Sequence, residues 1–166
     1  MKTRPSQSGF TLIESVTVIA LTGVLTATAL PRLTALTGEA RYAALQSAGS
    51  ALATVAATAH GKFMIDGRRT QALEDVSLSM VEGYPAADGA TFDAAGLGKG
   101  YVVYTGAAAP TADMPAVAPG SMAIVPRSIA GTPRARDCYL VYTQGRAPNL
   151  PPVITTGENT SAATCT

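Results

Sequence analysis

The sequence predicts an α+β fold. A long N-terminal helix projects by its first half and lies by its second half on a three- or four-stranded antiparallel sheet. Three observations carry this expectation. Residues 10–30 form a 21-residue apolar run with one charge. An Ala-rich segment with helical periodicity follows it. Beyond Gly100 the chain breaks into short β-type runs separated by Gly and Pro. Composition narrows the rest. At 166 residues, 47% hydrophobic and 14% charged, the chain has the length of one domain and too much apolar content for general disorder. A net charge of +1 leaves no basic excess to hold a nucleic-acid backbone. Two Cys and one His are too few, and too far apart, for the usual zinc sites.

The first nine residues, MKTRPSQSG, are polar and carry Lys2 and Arg4 with no acid. From Phe10 to Leu30 the chain, as a helix, spans roughly 31 Å, enough to cross a bilayer's hydrocarbon core. Positive charge on the short leading flank places that flank in the cytoplasm and the remainder outside it. A cleaved secretory signal is one reading, and Ala27-Thr28-Ala29 resembles its cleavage site. Its apolar region, however, is usually only about 7–15 residues. A simple single-pass anchor is another. Glu14 argues against both, because a carboxylate at the centre of a membrane helix costs about 2.5–3.5 kcal/mol and such residues are usually functional. If the chain is cut between Gly9 and Phe10, a new amine appears four residues before Glu14. An amine on one subunit and a carboxylate on its neighbour then neutralise each other in an apolar bundle, which rewards assembly over the isolated monomer.

The run Gly9-Phe10-Thr11-Leu12-Ile13-Glu14 resembles the class III leader junction of type IV pilins and type II secretion pseudopilins. The resemblance implies that a prepilin peptidase cuts after Gly9 and methylates the new N-terminal Phe10. It implies that Glu14 pairs with a neighbouring subunit's N-terminus during assembly, and that Pro31 stands where the family often bends its helix. It also implies a type IV pilin fold with a C-terminal disulfide loop. The expected divisions are a cleaved leader over 1–9, a transmembrane or filament-core helix over 10–35 and a globular head over 36–166.

Past Pro31, the residues Leu45, Ala48, Leu52, Val55, Ala56, Ala59 and Phe63 recur at spacings of three and four and share one face. Arg41, Ser47, Ser50, Thr54 and Thr58 fall largely off it. Gly61 is the expected stop, Asp66-Gly67 the turn after it, and Pro31, Gly23 and Gly38 are expected to bend or loosen the rod. Between Asp66 and Gly100, Ala72-Leu73 and Val76–Val81 offer one short strand or helical turn. Gly83-Tyr84-Pro85 and Ala87-Asp88-Gly89 read as turns. Four β-type runs follow: Tyr101–Tyr104, Met122–Val125, Tyr139–Tyr142 and the weaker Val153–Thr156. Cys138 and Cys165 are the two cysteines. In an exported head a disulfide between them persists, closing a loop of about 28 residues and contributing roughly 3.5 kcal/mol. Two free thiols, or a Cys paired with His60, are the other possibilities. The enclosed segment, rich in Gly and Pro, is expected to bury little by itself. Several pieces resemble the mannose-sensitive haemagglutinin type of pilin: the Ala-rich helix leading to Gly61-Lys62, the Gly83-Tyr84-Pro85 turn, Cys138-Tyr139-Leu140-Val141-Tyr142-Thr143, and the Pro-rich stretch ending near Cys165.

Other signals are weaker. Gly96-Leu97-Gly98-Lys99-Gly100 lacks the Ser/Thr and the following helix of a phosphate loop and reads as plain loop. Arg127, Arg134, Arg136 and Arg146 read as a solvated face partly salt-bridged by Asp137. His60 is expected to cap the helix or face solvent. Asp88 and Asp93 are too sparse for a calcium site, and Asn159-Thr160-Ser161 is a chance-prone glycosylation pattern, read as unmodified. One His and scattered acids supply no nucleophile, base and orienting partner, so no enzyme activity, metal or cofactor is expected. The expected function is a structural subunit of a helical type IV pilus serving adhesion, motility or DNA uptake. Its expected partners are copies of itself, a prepilin peptidase and inner-membrane assembly machinery, and its path runs from the inner membrane to an extracellular filament. The alternatives are a type II secretion pseudopilin, a minor pilin, or a membrane-anchored periplasmic binding module that never polymerises.

Overall fold

The computed structural model describes residues 11–106 and 108–166. Helix α1 (Leu12–Asp66) is followed by strands β1 (Thr70–Leu73), β2 (Val76–Val81) and β3 (Tyr84–Pro85). Then come helix α2 (Gly89–Ala94), strands β4 (Tyr101–Thr105) and β5 (Ser121–Pro126), a short 3₁₀ turn (Pro133–Arg136), and strands β6 (Leu140–Thr143) and β7 (Val153–Thr156). The 55 residues of α1 make a rod of about 82 Å. A long helix, antiparallel sheets and a C-terminal disulfide together make an α+β type IV pilin fold.

The helix does not stop at Gly61. It continues to Asp66, where Gly67 takes the left-handed conformation (φ 64°) and donates its N–H to the Phe63 carbonyl at 2.7 Å. That is the usual glycine-terminated helix end. Gly61 has open space around it and an ordinary helical φ, so nothing forces termination there. Asp66 holds the exit turn by accepting from the Arg68 N–H at 3.0 Å and from Gln71 Nε2 at 2.6 Å.

The four β-type runs form one antiparallel sheet in the order β4-β5-β6-β7, with β6 beginning at Leu140 rather than Tyr139. Every residue of β5 is buried. A second sheet, β1-β2-β3, was not expected. Val76–Val81 is a strand, and Tyr84-Pro85 pairs with Val81 and Met80 as β3 instead of turning. The turn is Glu82-Gly83, with φ of 51° and 92°. A third departure is α2, found where a turn was expected. Asp88 caps it, its Oδ1 accepting from the Thr91 N–H at 3.0 Å. Six residues are too few to show a helical period.

The second half of α1 serves two core clusters. Leu45, Ala48 and Leu52 pack with Met122, Ile124 and Leu140 of the four-stranded sheet. Val55 and Ala59 pack with Leu78 and Met80 of β2, and the half-buried Phe63 closes that cluster. Ser47, Ser50, Thr54 and Thr58 are exposed, as the helical stripe requires. Tyr142 joins the two sheets. Its ring is fully buried and its hydroxyl donates to the Pro85 carbonyl at 2.8 Å, from β6 to β3.

The disulfide joins Cys138 to Cys165. The segment it encloses contains β6 and β7, two of the four strands, and the buried Leu140 and Tyr142. In β6 alternate residues, Leu140 and Tyr142, are buried, and they are buried against α1 and β5 rather than within the segment itself. From Cys165 the chain reaches α1. The Cys165 carbonyl accepts from Arg41 Nη1 at 2.6 Å, while Arg41 Nε donates to Ser128 Oγ at 3.2 Å. At Gly38 the C-terminal segment comes closer still, since a Cβ there would strike the Ala162 carbonyl oxygen and Thr166 Oγ1. Gly38 is a close-approach glycine.

Two predictions follow from this packing. In a helix, Gly→Ala ordinarily stabilises by about 1 kcal/mol. Gly61→Ala, with free space, should do so. Gly38→Ala should instead destabilise by about 1–3 kcal/mol, because the backbone it meets must move. Thermal unfolding of both variants checks the reversal of sign. Separately, burial, with a smaller push from Asp88, raises the Tyr142 hydroxyl far above its ordinary value. The fold holds the neutral phenol, so this contribution is complete below about pH 10 and is lost as the pH rises beyond it. Unfolding free energy should fall above about pH 10, and Tyr142→Phe should flatten part of that fall while losing about 1 kcal/mol at neutral pH.

Candidate functional site

Among the described residues, nothing in the chain buries the Leu12–Leu30 stretch of α1. Leu12, Ile19 and Leu25 are 83%, 70% and 66% exposed, and Leu12–Leu30 has a mean hydropathy of 1.7 with no buried residue. By length and composition this stretch can cross a membrane. Its polar side chains are arranged for apolar surroundings. Ser15, Thr17, Thr22, Thr26 and Thr28 each donate to a carbonyl three or four residues back, for example Thr22 to Val18 O at 2.8 Å and Thr26 to Thr22 O at 2.7 Å. Hydroxyls satisfied within their own helix need no water.

Glu14 is different. It lies in the first turn, three residues after the N-cap Thr11, whose Oγ1 accepts from the Glu14 N–H at 3.4 Å. Thr-x-x-Glu is the capping-box pattern, legible in the sequence but read there only as part of the junction. Position in the first turn also aligns the carboxylate with the positive end of the helix dipole. Among the described residues this carboxylate accepts no hydrogen bond and forms no ion pair. Gly9 and Phe10 lie outside the described residues. The backbone of α1 is helical through Pro31, which has no N–H to offer the carbonyl of Ala27.

The other candidates take structural places. His60 is neither a cap nor a solvent-facing residue: its Nδ1 lies 2.8 Å from the Gly83 carbonyl, and its ring stacks on Tyr84 with centroids 4.1 Å apart. That pins β3 to α1. Both cysteines are in the disulfide, so no Cys–His pair exists. Arg127 is tied to the carbonyls of Gly98, Lys99 and Tyr101, which makes the Gly96–Gly100 segment a loop clamped by an arginine. The expected ion pairs with Asp137 are absent. Among the described residues the salt bridge is Arg68–Asp66 at 3.8 Å, and Arg134 and Arg136 are exposed. Asp88 is spent on its cap, and Asp93 is exposed. Asn159 is exposed in a turn closed by Thr164, whose hydroxyl donates to its carbonyl at 2.8 Å. The roles that the sequence reading missed are those of Thr11 as N-cap, Gly38 as a close-approach residue and Arg41 as a tie to the C-terminal segment. The first carried a readable capping pattern. The other two act through tertiary contacts that have no local signature.

An apolar, unburied helix with one unpaired carboxylate in its first turn is the geometry on which the leader motif bears. The family model for the prokaryotic N-terminal methylation motif matches residues 4–30. This supports a type IV pilin-like protein. The match spans Gly9, Phe10 and Glu14 together, and with the apolar helix it supports membrane insertion of the precursor and processing by a prepilin peptidase. No curated protein and no solved structure matches the chain significantly.

Cleavage at Gly9 is open to direct test. Replacing Gly9 by the β-branched Val should block cutting, so that immunoblots show full-length protein held in the membrane. Efficient processing of Gly9→Val would refute the assignment.

Proposed function

We propose that this chain is a structural subunit of a type IV pilus and not an enzyme. In this reading the leader is removed after Gly9, the Phe10 amine is methylated, and residues 10–30 wait as an inner-membrane helix before entering a filament core. The observation that carries the proposal is the exposed apolar half of α1 with Glu14 as its one unpartnered charge. In a helical assembly a neighbour's Phe10 amine supplies the missing partner. At about 4 Å and an effective dielectric of 20 an ion pair is worth about 4 kcal/mol. That exceeds the roughly 2.5–3.5 kcal/mol for a carboxylate at the centre of a membrane helix, which is an upper bound for Glu14 in the first turn. Burial of the leucines and valines against other helices supplies the rest. The head then forms the outer surface of an extracellular filament used for adhesion, motility or DNA uptake. The pieces resembling the mannose-sensitive haemagglutinin type favour that subtype.

Mass spectrometry of material sheared from native cells tests this reading. A dominant N-terminal peptide beginning at methylated Phe10 is the expected result. Processed protein confined to the membrane would instead make the chain a type II secretion pseudopilin or a minor pilin, and unprocessed protein would make it a membrane-anchored periplasmic module. Glu14→Ala should be cut normally yet yield few filaments, and a normal filament yield from it would remove the charge pairing.

A further inference from the structure

At the opposite end of α1 from the apolar half lies a half-open cavity of about 540 Å³. This is within the range of small-molecule sites. Its apolar lining includes Phe63, Met80 and Pro148, and its polar groups are Arg69, Glu82 and Asn149. Arg69 and Glu82 are both solvent-exposed residues lining this cavity, and among the described residues they form no ion pair with each other or with another group. The Asn149 amide is likewise unspent.

Glu82 and Asn149 hold positive φ, at 51° and 58°. At Glu82 this conformation belongs to the two-residue β2–β3 turn, which takes positive φ at both Glu82 and Gly83. The two residues are locked together by the Asn149 N–H donating to the Glu82 carbonyl at 2.8 Å. Glu74 also has a positive φ, in the β1–β2 hairpin turn outside the cavity. Glu82 and Asn149 both line the cavity.

We propose that this cavity binds a free zwitterionic α-amino acid with an apolar side chain. The Glu82 carboxylate receives the ligand's ammonium, and the Arg69 guanidinium holds its carboxylate. The Asn149 amide, donor and acceptor at once, bridges the two. The ligand side chain lies on Phe63, Met80 and Pro148. An anion alone would face Glu82 and a cation alone would face Arg69, so opposite charges without a mutual partner select a ligand carrying both. A neutral saccharide would leave both charges unmatched.

The test uses the full-length chain in detergent micelles and is independent of leader processing. L-leucine is titrated by ligand-observed NMR beside N-acetyl-L-leucine, which lacks the ammonium, and L-leucinamide, which lacks the carboxylate. Leucine should bind, and both analogues should bind about tenfold or more weakly, since each loses a hydrogen bond to a charged group. Glu82→Gly and Asn149→Gly remove the side chains while relaxing the backbone. Both should weaken leucine by about tenfold or more with a thermal midpoint at or above that of the parent. Arg69→Gln, in an ordinary conformation, should weaken leucine similarly. No leucine binding, equal binding of the analogues, binding of lactose in place of leucine, or leucine binding unchanged in the three variants would each overturn the proposal.

Discussion

The apolar stretch Leu12–Leu30, whose one carboxylate, Glu14, has no partner among the described residues, is fully at home in neither water nor lipid. Water disfavours Leu12, Ile19, Leu25 and their neighbours, all of which are exposed. The hydrocarbon core disfavours Glu14. The hydroxyls of this half do not add to the conflict, because each is bonded to its own helix. What remains is one charge on an apolar rod. The environment that satisfies both is a set of like helices with a positive group near each carboxylate. The proposed filament is such an environment, and in that proposal the rest of the fold is what the helix carries.

The carried part is held by the other half of the same helix. Leu45 to Leu52 serve one sheet and Val55 to Phe63 the other, so the head cannot separate from α1 without opening both clusters. At the junction of the two halves, Gly38 admits the C-terminal segment, and Arg41 ties the Cys165 carbonyl and Ser128 to the helix. Cys165 is in turn bonded to Cys138, just before β6. The covalent link thus runs from the four-stranded sheet to the neck of α1. A disulfide placed here restrains the neck as well as the loop it encloses, and β6 and β7 make that loop part of the sheet.

What was legible in the sequence was whatever has a long period or a short rigid motif. The apolar run, the stripe from Leu45 to Ala59 and the four β-type runs repeat often enough to be read, and each is found where expected. The junction around Gly9 and Phe10 is a short contiguous motif, and the methylation-motif match covers it. The small sheet was hidden because β1 and β3 are four and two residues long and acquire meaning only by pairing with β2. Gly61 misled because glycine is a stop signal only where a left-handed residue is needed, and here that residue is Gly67. Gly38 misled in the other direction. Its role is set by Ala162 and Thr166, more than a hundred residues away, and no local pattern announces it.

Charge supplies little of the geometry. Without Lys2 and Arg4 the side chains are ten basic against eleven acidic, and among the described residues they form one ion pair, Arg68–Asp66, on the surface. Surface pairs of this kind contribute about 0–1 kcal/mol, and long-range fields between nearly neutral heads are weak and screened. In the proposed filament the heads therefore neither steer nor repel each other strongly. Their spacing has to come from the rods, through the one pairing that Glu14 offers and through apolar contact along residues 12–30. The angle at which each head meets its rod has to come from the neck, where Gly38, Arg41 and the disulfide converge. A change that leaves Glu14 and the apolar face intact but alters the neck would keep the subunits associating while changing how their heads are presented. In the proposed filament that would separate two roles of α1, contact between rods in its first half and orientation of the head in its second.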